Sequence, residues 1–253
     1  MERPIARVLA VLVVSTAASG LFLACSQASR LEAKCLAGDA PRCTQLGEMY
    51  ATGAGGVSRD MAKAAEMFER ACAIGAPDVC NTLGELYETG GGIEGGVARA
   101  EPLFERACSG GSSAGCLNLG LVVAAREDHA SAFALYEKSC GGGWAAGCHQ
   151  VAVSLEQGEG VGKDIVKAVG FYTQACDGGH VDGCLAAADH YARGEALPRN
   201  LESALRLYGA AVKIYAEGCE AGNDRECLEA NRVRTRMTLA TGEAGTQGPR
   251  GVR

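Results

Sequence analysis

A chain of 253 residues with 24 Lys+Arg against 30 Asp+Glu carries a formal net charge of −6. It has no basic block, and phosphate binding needs clustered cations, so nucleic acid is excluded as a partner class. Hydrophobic residues make up 47%, which supports a core and excludes global disorder. Aromatics are only 5% while glycine fills 36 positions, a balance that suits closely packed helices and disfavours a β-sandwich.

At the N-terminus, Arg3 and Arg7 precede an apolar stretch from Val8 to Ala24 that contains Ser15, Thr16, Ser19 and Gly20. A positive start, a short apolar core and small residues at its end predict a secretory signal over residues 1–24. The stretch is shorter than the ~20 apolar residues of a spanning helix, and hydroxyls and glycine dilute it further. Its end, Phe22-Leu23-Ala24-Cys25, resembles a bacterial lipobox, with Phe22 where Leu is usual. That resemblance implies acylation of Cys25, which becomes the new N-terminus. Each acyl chain adds about 0.8 kcal/mol per buried methylene. Ser26 in place of Asp implies the periplasmic face of the outer membrane. Residues 25–34 are then a lipidated cysteine and short linker, residues 35–240 the folded array, and residues 241–253 a disordered tail.

Cys25 aside, twelve cysteines form pairs separated by eight positions: Cys35/Cys43, Cys72/Cys80, Cys108/Cys116, Cys140/Cys148, Cys176/Cys184 and Cys219/Cys227. Each pair holds a glycine three residues in, at Gly38, Gly75, Gly111, Gly143, Gly179 and Gly222. Six coincidences by chance have odds of roughly one in 10^5, so C-x-x-G-x-x-x-x-C is a true internal repeat. Zinc sites favour cysteines two to four residues apart, and no C-x-x-C occurs. An exported chain meets an oxidising compartment, where local disulfides persist. Each bridge contributes roughly 2.5 kcal/mol on the chain-entropy account.

Upstream of four pairs runs Ala, three residues, an aromatic, two residues, a small residue and Cys: Ala64-Phe68-Ala71-Cys72, Ala100-Phe104-Ala107-Cys108, Ala132-Tyr136-Ser139-Cys140 and Ala168-Tyr172-Ala175-Cys176. These offsets share one helical face. Downstream comes Leu-Gly or its equivalent, as in Leu46-Gly47-Tyr50, Leu83-Gly84-Tyr87, Leu119-Gly120-Val123 and Val151-Ala152-Leu155. The small residue allows neighbouring backbones to approach. Each cysteine pair therefore joins one helix end to the next helix start, with the glycine in a left-handed terminating conformation. The remaining connections are glycine-rich, and Asp60, Asp164 and Asn200 are expected N-caps after them. No strand precedes these glycines and no Gly-Lys-Ser/Thr follows, so they are connectors and not phosphate loops.

Two repeats deviate. Between Cys116 and Cys140 the glycine loop is nearly lost. Between Cys184 and Cys219, Val212 occupies the usual cysteine position and the cysteine arrives seven residues later, close to the same face. This predicts a longer helix from about Asn200 to Glu217. After Cys227, Asn231 and Arg234 replace small and aromatic positions, as a polar terminal cap requires.

This wording resembles Sel1-like repeats, relatives of the tetratricopeptide class, and the recurring staple resembles the Helicobacter cysteine-rich branch. The resemblance covers about residues 31 to 240. It implies an all-α fold, a right-handed α/α superhelical solenoid of helix pairs stapled by disulfides, with a concave groove. For function it implies an interaction scaffold, and in the cysteine-rich branch also a β-lactamase or penicillin-binding label. No serine has lysine three positions on, which the serine β-lactamase pattern needs. Only His129, His149, His180 and His190 are available as imidazole ligands, without His-x-His or His-Glu-x-x-His. No catalytic residue, metal ligand set or cofactor is therefore expected.

Trp144, the only tryptophan, lies inside a staple turn where the repeat provides no core position, and His180 occupies the equivalent turn. Both are candidate partner-binding residues; the alternatives are that Trp144 covers the neighbouring turn and that His180 is a solvated loop residue. His149 is expected to point outward, and Phe133 and Tyr215 lie off the aromatic register. The expected protein is a monomeric, lipid-anchored scaffold of the bacterial cell envelope that binds a protein, a peptide or a peptidoglycan-related ligand. The other expectation is a β-lactam-binding or β-lactam-hydrolysing protein.

Overall fold

The structure, a computed structural model, describes residues 27–242. The signal segment, Cys25 and the tail from residue 243 lie outside the described residues. The chain divides into two compact units, Met1–Gly115 and Cys116–Arg253. Among the described residues every regular element is helical. The first unit holds α1 (27–36), α2 (Ala40–Thr52), a 3-10 turn (Ala54–Gly56), α3 (Met61–Ile74), α4 (Pro77–Thr89) and α5 (Val97–Ser109). Helix α6 (Ser113–Ala124) opens at its end. The second unit continues with α7 (His129–Gly141), α8 (Ala145–Gln157), α9 (Ile165–Asp177), α10 (Val181–Arg193), α11 (Leu201–Glu220) and α12 (Asp224–Thr241). None of the described helices is long and apolar enough to cross a membrane.

Helix starts follow the capping chemistry. Asp60 Oδ1 accepts from Lys63 N at 3.0 Å, Asp164 Oδ1 from Lys167 N at 3.0 Å, and Asn200 Oδ1 from Ser203 N at 2.9 Å. Asp128 does the same for α7, so that helix begins properly although its glycine loop is missing. Such caps contribute typically about 1 kcal/mol each. The staple glycines all have positive φ, between 86° and 113°, a region that side-chain-bearing residues rarely enter.

Disulfides close Cys35–Cys43, Cys72–Cys80, Cys140–Cys148, Cys176–Cys184 and Cys219–Cys227, with Cα atoms 4.4 to 4.8 Å apart. Cys108 and Cys116 are disulfide-bonded as well. The bridged cysteines of the Cys140–Cys148 and Cys176–Cys184 staples are themselves core residues. Around them pack Val151, Ala168, Tyr172, Ala204 and Tyr208 in the second unit. In the first unit Leu46, Leu83 and Phe104 are among the largest fully buried side chains.

The small residue after Leu has the expected task. A Cβ on Gly47 would sit 2.6 Å from Phe68 Cε1, and one on Gly120 would sit 2.6 Å from Tyr136 Cε1. The rings of Phe68 and Tyr136 therefore approach the preceding helix at a glycine, closer than a side chain there would permit.

Two segments differ from expectation. The segment expected as a linker up to residue 34 is helical from residue 27, because Ala28, Leu31 and Cys35 form a single apolar face at helical spacing. That face is buried against Cys43, Leu46, Met67 and Ala71. The long helix begins at its expected cap, Asn200, and runs three residues past the expected end, to Glu220, carrying Cys219 inside the helix.

Candidate binding edge at the staple turns

In every staple turn the residue after the glycine becomes the N-cap of the following helix. Asp39 fills this position before α2 and accepts from Arg42 N. Ser112 does so before α6, its Oγ accepting from Gly115 N at 3.3 Å. At α8 the position is Trp144, which forms no side-chain cap bond and leaves 46% of its surface exposed. An indole has no acceptor for a helix N-terminus, so the position forgoes about 1 kcal/mol that Ser or Asp supplies elsewhere. Ala76 before α4 and Asn223 before α12 likewise form no side-chain cap bond, so what sets Trp144 apart is a large aromatic surface standing half in water.

One repeat further on, His180 caps α10: its Nδ1 accepts from Gly183 N at 3.4 Å. That role places the ring proton on Nε2. His149, on α8, stacks against His180 with ring centroids 4.5 Å apart and an interplanar angle of 29°. His180 is therefore a half-buried capping residue, and not the solvated loop residue offered as its alternative. His149 does not point outward but packs between His180 and Tyr172, whose ring lies 5.5 Å away.

Behind this pair lies a polar clasp. Tyr172 donates its hydroxyl hydrogen to Glu156 Oε2 at 2.6 Å, and Glu156 Oε1 meets His190 Nε2 at 3.0 Å. A carboxylate from α8, a tyrosine from α9 and an imidazole from α10 are thus tied together. The same grammar recurs further along the second unit, where Tyr208 on α11 bonds Asp189 on α10, and Arg236 on α12 approaches that carboxylate at 3.6 Å. It also occurs in the first unit. There Tyr87 on α4 donates to Glu69 on α3 at 2.7 Å, and the Arg99 guanidinium from α5 lies 4.2 Å over the Tyr87 ring. Recurrence at three places marks the clasp as a packing device.

The electrostatics point the same way. Burial, reinforced by Glu156, pushes the Tyr172 hydroxyl well above the ordinary tyrosine value. Burial and Asp189 do the same to Tyr208. Such hydroxyls stay protonated near neutrality and are poor nucleophiles. Burial lowers His149, with the neighbouring His180 adding to the effect against the pull of Asp182 and Glu156. His180 is also lowered by burial, opposed by Asp182. Among the described residues no three His, Cys, Asp or Glu side chains are grouped to hold a metal ion.

Phe133 and Tyr215, off the aromatic register, pack as half-buried additions to the core of the second unit. Cys25 lies outside the described residues. The clasp carboxylates were missed by sequence reasoning because they fall at no fixed distance from the cysteines. One signal was available: the aromatic position reads Phe at 68 and 104 but Tyr at 136, 172 and 208, and a buried hydroxyl needs a partner.

The chain matches the Sel1 repeat over residues 43–75, 77–112, 114–143, 145–180 and 181–223. A solved Sel1 repeat protein from Oxalobacter formigenes aligns at 21% identity over 70% of this chain and 74% of that one, with a TM-score of 0.64. The protein c5321, described as a protective antigen of uropathogenic Escherichia coli with an SLR fold, aligns at 22% identity with a TM-score of 0.65. That alignment spans 88% of this chain and 53% of the longer one. Helicobacter pylori cysteine-rich protein B covers 57% of this chain and 86% of its own at 21% identity, with a TM-score of 0.24 that adds nothing to the fold assignment. No curated protein matches the sequence. At these identities the likenesses are of fold alone, whereas the five tandem repeat matches take in most of the chain: the protein belongs to the Sel1 repeat family.

Proposed function

We propose that this Sel1 repeat protein is an exported, lipid-anchored scaffold of the bacterial cell envelope that binds a protein or peptide at the staple turns of its second unit, around Trp144. The observation that carries the binding reading is the exposure of Trp144, an indole with 46% of its surface in solvent inside a staple turn. A net charge of −6 favours basic partner segments over acidic ones. The disulfides and the signal-like start with Cys25 support export, because such bridges persist outside the reducing cytosol.

Crosslinking the native protein in its own envelope and comparing it with Trp144→Ala tests the binding. Partners captured by the parent and reduced at least tenfold in the variant are expected. Identical capture by both, or capture no better than bare beads, overturns it. Palmitate labelling that disappears with Cys25→Ala tests the anchor, and an unlabelled parent protein refutes it.

A further inference from the structure

The strongest unexplained feature is the His149–His180 stack. Two imidazoles lie face to face across successive repeats, 4.5 Å between centroids, and one of them is the acceptor that starts a helix. The cap requires a neutral ring at position 180, and the stack excludes charging both rings together. An imidazolium has N–H on both nitrogens and accepts nothing. At position 180 the protonated ring would turn a donor toward the Gly183 N–H, at the positive end of α10. Two stacked cations would also repel one another.

We propose that the His149–His180 pair is an acid-sensitive latch on the staple edge: neutral, it holds the first turn of α10 closed against α8, and protonation releases that turn. The proposal rests on the reading of this edge as the binding surface for its consequence, which is weaker partner binding in acid. Its physical content stands without a partner.

The groups around the pair are Glu156 from α8, Tyr172 from α9, with His190 stacked 6.2 Å behind it, and Asp182 from α10. Asp182 lies in the first turn of α10 and attracts either imidazolium. Acid therefore exchanges a stack and a cap for a cation beside Asp182, and the pair has two alternative arrangements. Above the ordinary histidine value of about 6.5 both rings are neutral and the latch is fully formed. Because burial lowers both rings in the folded protein, stability is lost as pH falls from about 6.5 through those lowered values.

Residue-resolved hydrogen exchange on the oxidised protein, expressed as protection factors at pH 7.5 and pH 5.0, tests the latch. At the Gly183 and Cys184 amides protection falls about fivefold in acid, the equivalent of one lost cap, while the Asp164-capped start of α9 keeps its protection. In His180→Asn, whose side chain caps at any pH, the acid loss at Gly183 disappears. Histidine C2-proton titration places both rings below 6.5. A parent protein with unchanged protection overturns the latch, as does an acid loss that persists in His180→Asn. Failure of partner capture at pH 7.5 would sink only the binding reading, because exchange is measured without a partner.

Discussion

The ring of Phe104 rests directly on Gly84: a Cβ there would come within 2.5 Å of Phe104 Cε1. Phe104 is fully buried and has no room to retreat. Gly84→Ala therefore gains up to about 1 kcal/mol of helix propensity but meets an overpacking cost of about 1–3 kcal/mol. The expected net effect is a loss of about 1 kcal/mol. Gly170 offers the control, since a Cβ at that helical position meets nothing within 4 Å. Gly170→Ala should gain about 0.5–1 kcal/mol. Denaturant midpoints that move in opposite directions for the two variants verify the ring-on-backbone packing.

Each staple closes the same loop, with cysteines eight positions apart, so removing any one should cost a similar amount. Cys176→Ser with Cys184→Ser is expected to lose about 2.5 kcal/mol. The Cys140/Cys148 pair should match it to within about 1 kcal/mol, given the strain differences such bridges carry. Urea unfolding of the two double variants under non-reducing conditions checks this.

Burial and carboxylate neighbours raise Tyr172 and Tyr208, and burial with Glu159 raises Tyr136. For a tyrosine with a raised folded value, the stabilisation is complete below the unfolded value of about 10 and declines as pH rises beyond it. Absorbance at 295 nm should show these hydroxyls ionising together with unfolding, not as separate events in the folded protein. A smooth titration centred near 10 with helicity intact would contradict the clasps.

Arg199 donates from Nε to Ala192 O at 3.1 Å and from Nη2 to Ala240 O at 2.9 Å. It thereby ties the last turn of α10 to the last turn of α12. Arg199→Ala should lower stability by about 1 kcal/mol and speed exchange at the end of α12 while leaving α8 unchanged. Lysine lacks the planar fork, so Arg199→Lys should behave more like alanine than like the parent.

The helices, their caps and the bridges were legible because each is written at a fixed offset from a cysteine. Ala64, Phe68 and Ala71 share a face with Cys72, and Asp60 and Asp164 stand just before their helices. The helix over residues 27–36 was not legible, since its apolar face of Ala28, Leu31 and Cys35 lacks the aromatic that marks the other helices. The Glu156–Tyr172–His190 clasp was hidden for a different reason. Its members come from three helices, and their meeting depends on how repeats stack, which no spacing within one repeat records. His149 was misplaced on the same ground, because its partner belongs to the next repeat.

The disulfides described here all join cysteines eight positions apart. Cys25 aside, twelve thiols allow about 10^4 full pairings, yet for each of them the proper mate is the nearest cysteine along the chain. A polypeptide emerging into an oxidant can thus complete each bond in the order it appears, without reshuffling by an isomerase. Damage to one bond leaves the others correctly matched.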